Sequence, residues 1–432
     1  MPSSSPLGAT LPNSSSLAVS AAAAVVPDPL FAFTQFAVDA VRNNTVSHAE
    51  LVEKERLRQE LEAVLQALQP TARLVVYGSL ANNLAIANCD MDLMDALHDV
   101  SVDLPALYTE ALNSQGYSVK LLSKTRTPIV KVSLEHMAVP YCVDISFDNA
   151  LALHNTKLIA TYAACDSRVP ILLMFVKLWT AVRRINDPHS GTLSSYGYAL
   201  LLIFYLQNRC NSPPVLPNLQ LISAMGTRSA DELECSGYDI WFFKDVEKIQ
   251  QAQVVKNTSS IGTLLEGFFS YFAYEFDFRD LCISIRTPGG IVTKTAKTWT
   301  QMVEHLNDRG DAKVKDRYIL SIEDPFEIVH NVGRSVTRAG LYEIRGEFMA
   351  ATRYVRGNKL DEILNPHRRE IVAPTSSTAM HSPQQQHGTQ QVSPGEGSSP
   401  TPPAVHAEAR PSTGTATSTK TSQQAETVVK AE

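Results

Sequence analysis

The segment "ARLVVYGSLANNLAIANCDMDL", residues 72 to 93, restricts the possible folds more than any other stretch of this chain. A short run of apolar and β-branched residues ends at Gly78, a Gly-Ser pair opens a short helix, and a second strand carries Asp90 and Asp92. Strand side chains alternate, so a strand over residues 89 to 93 turns both carboxylates to one face. Like charges held side by side repel, and a cation must compensate them: a metal, a nearby Lys or Arg, or only solvent. D-x-D alone is weak, because about one such triplet is expected by chance in a chain this long. The context adds weight, since Asp144 follows in a separate strand-like segment, "YCVDISF". Three carboxylates on adjacent strands make an oxygen-rich site suited to Mg²⁺. Gly78 and Ser79, at a helix start, offer backbone N–H groups and a hydroxyl to phosphate. Metal plus phosphate cradle points to phosphoryl or nucleotidyl transfer; the alternative is a solvated acidic strand beside a plain turn.

Helical spacing marks "LFAFTQFAVDAVRN" and "HAELVEKERLRQELEAVLQALQ", the second placing Leu51, Leu57, Leu61, Val64, Leu65 and Leu68 on one stripe. "TPIVKVSL" alternates as a strand does, and from about residue 151 the pattern becomes mainly helical, as in "RVPILLMFVKLWTAVRRIN" and "SSYGYALLLIFYLQN". The expected architecture is α+β: a β-containing lobe over 29–150, whose first helix is free to pack elsewhere, and a helical lobe over 151–370. Residues 1–28 and 371–432 are rich in Ser, Ala, Pro, Thr, Gln and Gly, too polar or too simple to bury a core, and read as disordered. The six cysteines form no C-x-x-C pair, which fits free thiols in a reducing compartment. A net charge of -6 argues against broad coating of nucleic acid but leaves room for a local groove. No apolar run is long enough to span a bilayer. "SLAVSAAAAVVP" has no basic residue before it, the first being Arg42, so the expectation is a cytoplasmic protein with no membrane partner.

"GSLANNLAIANCDMDL" resembles the G-S…D-x-D signature of the DNA polymerase β nucleotidyltransferase superfamily. "CVDISFDNALALHNT", "VKLWTAVRRIN", "GTLSSYGYALLLIFYLQ" and "IEDPFEIVHNVGR" follow in the order found in non-canonical poly(A) polymerases and terminal uridylyltransferases. The likeness covers roughly residues 30 to 355, and the last motif is similar to that of cytoplasmic poly(U) polymerases of the caffeine-induced-death suppressor type. It implies a two-lobed nucleotidyltransferase fold, with a small β-sheet catalytic lobe, a mainly helical nucleotide-recognition lobe, and the catalytic cleft between them. It further implies that Asp90 and Asp92 bind two Mg²⁺ or Mn²⁺ ions, and that Asp144 binds one and helps activate an RNA 3′-hydroxyl. Gly78, Ser79, Lys177 and Ser195 would meet the triphosphate, Asn149 and Thr156 the ribose, and Tyr196 the base. Asn155, in the same "HNT", is as well suited to holding its loop as to touching ligand. His330 would donate to uracil O4, with Asp324 and Glu327 orienting it, and Arg334 would tie the loop together.

Two positions depart from the family pattern. Asn83 replaces a glycine, which the tolerance of Asn for left-handed backbone accommodates. Ala181 replaces a second phosphate lysine; either Arg184, at i+7 from Lys177 and expected on the same side, substitutes for it, or triphosphate affinity is weaker. Lys120, Lys124, Arg126 and Lys131 form the basic stretch of the first lobe, available to an RNA backbone or to solvent. The expected activity is monomeric, template-independent transfer of UMP from UTP to an RNA 3′ end with release of pyrophosphate. The alternatives are a poly(A) polymerase using ATP, a catalytically silent RNA-binding adaptor, which the intact Asp90, Asp92 and Asp144 argue against, and a D-x-D glycosyltransferase.

Overall fold

The computed structural model describes residues 30–366 except 97–102, 124–126, 135–141, 211–212, 223–233, 253–254, 301–302 and 307–311. The leader 1–28, the tail 371–432, Lys124 and Arg126 therefore lie outside the described residues. Helices α1 (Phe31–Asn44) and α2 (His48–Gln66) form where the apolar spacing predicts them. Ser47 separates them: its backbone is extended, and its Oγ accepts the N–H of Glu50 at 3.1 Å, capping the first turn of α2. The buried stripe of α2 is Lys54, Leu57, Leu61 and Leu65, whereas Leu51 and Leu68 are exposed near the helix ends. A lysine enters that stripe because its ammonium is satisfied. Lys54 Nζ donates to the Cys89 carbonyl at 2.7 Å and stands 3.4 Å from Glu50.

The first lobe continues with β1 (Leu74–Tyr77), α3 (Gly78–Ala81), β2 (Met91–Asp95), α4 (Leu104–Ser114), β3 (Ser118–Leu122), β4 (Ile129–Ser133) and β5 (Cys142–Phe147). The strands form one sheet in the order β1-β2-β5-β4-β3, with β2 and β5 parallel and the other pairs antiparallel. The register puts Tyr77, Asp92, Asp144, Lys131 and Lys120 opposite one another in turn, one residue per strand. Side chains at matched positions share a face, so these five make a polar row across the sheet. The opposite face, with Met91, Leu93, Val130, Val132, Val143 and Ile145, closes over Leu57, Leu61 and Leu65 of α2 and Tyr108 and Leu112 of α4. One detail differs from the sequence expectation. The second strand begins at Met91, not at residue 89, because Asn88 adopts a left-handed backbone and Asp90 still belongs to the preceding turn.

The second lobe contains α5 (Ala150–Cys165), α6 (Val169–Val182), α7 (Ser195–Asn208), the pair β6 (Glu234–Cys235) and β7 (Tyr238–Asp239), α8 (Val246–Ala252) and α9 (Ile261–Ser270), which runs into a π-helical turn, Tyr271–Glu275. Then come β8 (Leu281–Ile283), β9 (Ile291–Thr293), the hairpin β10 (Val303–Leu306) and β11 (Ala312–Lys315), β12 (Ser321–Ile322) and α10 (Arg338–Arg356). Strands β12, β8 and β9 form a three-stranded sheet in that order. Helix α1 packs here: the Phe33 ring meets Phe175 of α6 edge-on at 5.8 Å, and Thr34 Oγ1 accepts the Gly262 N–H of α9 at 2.9 Å. A buried ion pair, Arg183 to Glu347 at 2.6 Å, ties the end of α6 to α10.

Candidate active site

The turn from β1 into α3 needs glycine. Gly78 has φ +69°, and a Cβ there would stand 2.5 Å from Asp92 Oδ2. Its N–H donates to Thr156 Oγ1 of α5 at 2.9 Å, and Thr156 in turn donates to the Ala152 carbonyl at 2.7 Å. The Gly78 donor expected to meet phosphate is thus committed to a bond between the two lobes, and the Thr156 hydroxyl with it. Asn83 takes the left-handed backbone expected of it, φ +59°.

Asp92 and Asp144 stand opposite each other across the parallel pair β2/β5. Burial, then the charge of Asp144 and more weakly that of Asp90, push the Asp92 pKa up to about 7 against the pull of Lys177. Asp144 accepts from Lys131 Nζ at 2.8 and 3.2 Å. Burial is the largest single influence on Lys131 and works against its charge, but the bond to Asp144 and the charges of Asp144 and Asp90 together outweigh it, and the lysine's pKa is raised. Asp90 is turned aside, its Oδ1 accepting the Cys142 N–H at 2.8 Å. Among the described residues no three His, Cys, Asp or Glu side chains already form a metal-ligating cluster. The chemistry nevertheless fits a hard divalent cation: the donors are all oxygen, and burial with the repulsion of Asp144 and Asp90 raises the pKa of Asp92, which a bound cation would lower.

In front of this sheet lies a cavity of about 720 Å³. The first lobe lines it with Gly78, Ser79, Asp90 and Asp92, and the second with Asn155, Thr156, Lys177, Ala181, Ser195 and Tyr196. Burial lowers the pKa of Lys177, partly offset by the negative groups at Cys89, Asp92 and Asp90. No hydrogen bond or ion pair holds its ammonium among the described residues. Such a half-buried cation, only partly offset by its neighbours, suits a polyanion. Ser195 opens α7, and its Oγ is 3.5 Å from Asn186 Nδ2. Tyr196 donates its hydroxyl to Asp324 Oδ2 at 3.0 Å.

Asn155 is the residue that the sequence reading left undecided. Its Nδ2 is 3.4 Å from Asp324 Oδ2, and its buried Oδ1 has no partner. The signal was the α5 stripe: Ala152, Asn155, Thr156 and Ile159, spaced i, i+3, i+4, i+7, all line the cavity.

Other expected residues stand behind or beside the cavity wall. Asn149 stands just before α5 and is not part of the cavity lining. Asp324 is buried behind Tyr196, and its Oδ1 accepts the N–H groups of Phe326 and Glu327 at 3.0 Å each. Glu327 is 3.5 Å from the Tyr238 hydroxyl. The His330 carbonyl accepts from Asp324 N at 3.2 Å, and its own N–H closes a turn onto Glu327 O at 2.8 Å. Arg334 follows this loop, its N–H on Asn331 O at 3.1 Å. Arg184 does not replace the lysine missing at Ala181. Helix α6 ends at Val182, and Arg184 (φ +55°) is exposed outside the cavity lining, so the i+7 projection fails.

The chain is similar to known proteins. A family model described as the central palm domain of a mitochondrial-like poly(A) RNA polymerase matches residues 33–164, and one described as Cid1 family poly A polymerase matches 260–330. The terminal uridylyltransferase cid1 of Schizosaccharomyces pombe is 41% identical over 333 residues, 76% of this chain and 80% of its own length. Human terminal uridylyltransferase 7 is 32% identical over 294 residues, 66% of this chain but 18% of that longer protein. Solved structures of Cid1 with the UTP analogue UMPNPP and with its short product ApU superpose with TM-scores of 0.64 and 0.65 at 36% identity. Each of the two covers 78% of this chain and 98% of the other. No helix among the described residues is long and apolar enough to cross a membrane.

Proposed function

This chain belongs to the Cid1 family, and on that footing we propose that it is an RNA 3′-terminal uridylyltransferase, adding UMP from UTP without a template and releasing pyrophosphate. The observation that carries the reading is Lys177: a half-buried ammonium lining the same cavity as Asp92 and Asp90, with no hydrogen bond or ion pair among the described residues. Asp90, Asp92 and Asp144 would hold Mg²⁺, or Mn²⁺ in its place, supplying the Lewis acidity that two-metal transfer requires. The protein's own groups do the rest. Lys177 binds the triphosphate, with Ser79 and Ser195 donating hydroxyls to it. Asn155, through its unpaired Oδ1, accepts from the ribose 2′-hydroxyl, a role that distinguishes ribonucleotides. Thr156 and Gly78 join the lobes rather than touching the sugar.

The Tyr196 ring stacks on the base, its hydroxyl fixed by Asp324. His330 donates to uracil O4, with Glu327 beside it in the same turn. Lys131 and Lys120, continuing the carboxylate row, meet the RNA backbone near its 3′ end. The protein acts as a cytoplasmic monomer.

The poly(A) descriptions of both family models favour a second reading, with ATP as donor. A short RNA primer, Mg²⁺ and each nucleoside triphosphate in turn decide between them. UTP is expected to give the longest extension; preferential extension with ATP would reverse the base assignment, and none with any nucleotide would leave an adaptor.

A further inference from the structure

The loop after β12 carries Asp324, Glu327 and His330, and it is closed at its base by a bridge between Glu323 and Asn331. Its outer turn runs from Glu327 to His330, with Ile328 and Val329 at the tip, 41% and 68% exposed. A turn this open has little apolar burial to hold its shape. Besides the Tyr238 hydroxyl beside Glu327, Lys297 reaches it from the segment after β9. Lys297 Nζ donates to the Ile328 carbonyl at 2.6 Å and also to the Glu323 carboxylate. The lysine side chain is 14% exposed and that of Glu323 is 6% exposed, so the pair is shielded from solvent. Glu323 is anchored in turn: its Oε1 accepts from Ser284 Oγ at 2.7 Å, and its N–H donates to Ile283 O at 2.8 Å. One ammonium therefore spans the root of the loop and its tip.

We infer that Lys297, braced by Glu323, is a positioning residue for base selection, pinning the Glu327–His330 turn at the distance from Tyr196 that uracil requires. The inference rests on the reading that this loop chooses the base. Lys297 lies outside the cavity lining and away from the carboxylate row, so its effect should be on nucleotide choice and not on the transfer step. Rigid placement of polar partners is what lets a site reject a ligand that leaves them unpaired.

The test compares steady-state kcat and KM for UTP and ATP in wild type, Lys297→Met, the double variant Lys297→Met/Glu323→Met, and His330→Asn. Removing both charges together leaves no buried unpaired ion, so the double variant keeps the question answerable if the single one does not fold. The expected result for the variants lacking Lys297 is a UTP-over-ATP preference reduced about tenfold, through a higher KM for UTP, with kcat changed by less than about threefold. A preference equal to wild type in the folded double variant overturns the inference. So does a fall in kcat shared equally by both nucleotides, which would mark a purely structural pair. If His330→Asn also leaves preference unchanged, the fault lies with the base-loop reading itself; if His330→Asn alone shifts it, only the role of Lys297 fails.

Discussion

At the scale of single residues, Asp92 behaves as an acid waiting for a cation. Its folded pKa, about 7, lies above its ordinary value of 3.8. A raised carboxyl pKa stabilises the fold fully below the ordinary value, and that stabilisation is lost as pH rises through the folded one. In the absence of divalent ions the protein should therefore lose stability between about pH 4 and 7, by at most about 4 kcal/mol from this group. Asp92→Asn should abolish that slope and raise the metal-free Tm at pH 8, and Mg²⁺ should raise the wild-type Tm more at pH 8 than at pH 6. Thermal melts across that range check both; a wild-type Tm that rises with pH would contradict the electrostatics. The D-x-D spacing marked the carboxylates only as candidates, their role being what the family resemblance implied, whereas Asn83 was legible from the backbone tolerance of asparagine. Arg184 was misread because extrapolating i+7 assumes a helix that in fact stops at Val182.

At the scale of elements, α2 shows what apolar periodicity can and cannot reveal. The stripe through Leu57, Leu61 and Leu65 was visible, but its next member is Lys54, whose partner lies 35 residues away at Cys89. A charged residue in an apolar stripe is explained only by tertiary contact. That contact fixes the turn before Asp90, since Glu50 also accepts the Asn88 N–H at 2.9 Å. Lys54→Met should cost about 1–3 kcal/mol in urea unfolding by leaving the Cys89 carbonyl unsatisfied. It should also lower kcat, because the turn that carries Asp90 is loosened. Full activity with the expected loss of stability would separate the two roles. The parallel pairing of β2 with β5, which sets Asp92 against Asp144, was likewise beyond any local signal, because 51 intervening residues fold between positions 92 and 144.

For the molecule as a whole, the second core depends on distant chain segments meeting. Arg183 and Glu347 are 164 positions apart, and Arg183 also donates to the carbonyl of Asn365 at 2.7 Å. Glu347→Leu should destabilise the protein by about 3–5 kcal/mol by stranding a buried guanidinium, and adding Arg183→Met should recover most of it. Equilibrium denaturation of both variants measures this. The two-lobed α+β plan was readable from the change in periodicity near residue 151, whereas the small sheet β12-β8-β9 was not, its strands being only two or three residues long.

The placement of α1 has a consequence for how the protein is made. Thr34 and its partner Gly262 are 228 residues apart, with the whole first lobe translated between them. At synthesis rates of about 5–20 residues per second, the part of α1 around Thr34 emerges roughly ten to forty-five seconds before α9 exists to cover it, although Phe175 of α6 reaches Phe33 sooner. The first lobe has its own core and is complete by residue 147, so it can fold on the ribosome while the helix ahead of it waits. The first helix of the described residues thus completes its docking only after 228 further residues have been made, and the nascent chain carries a partly uncovered adhesive surface until then.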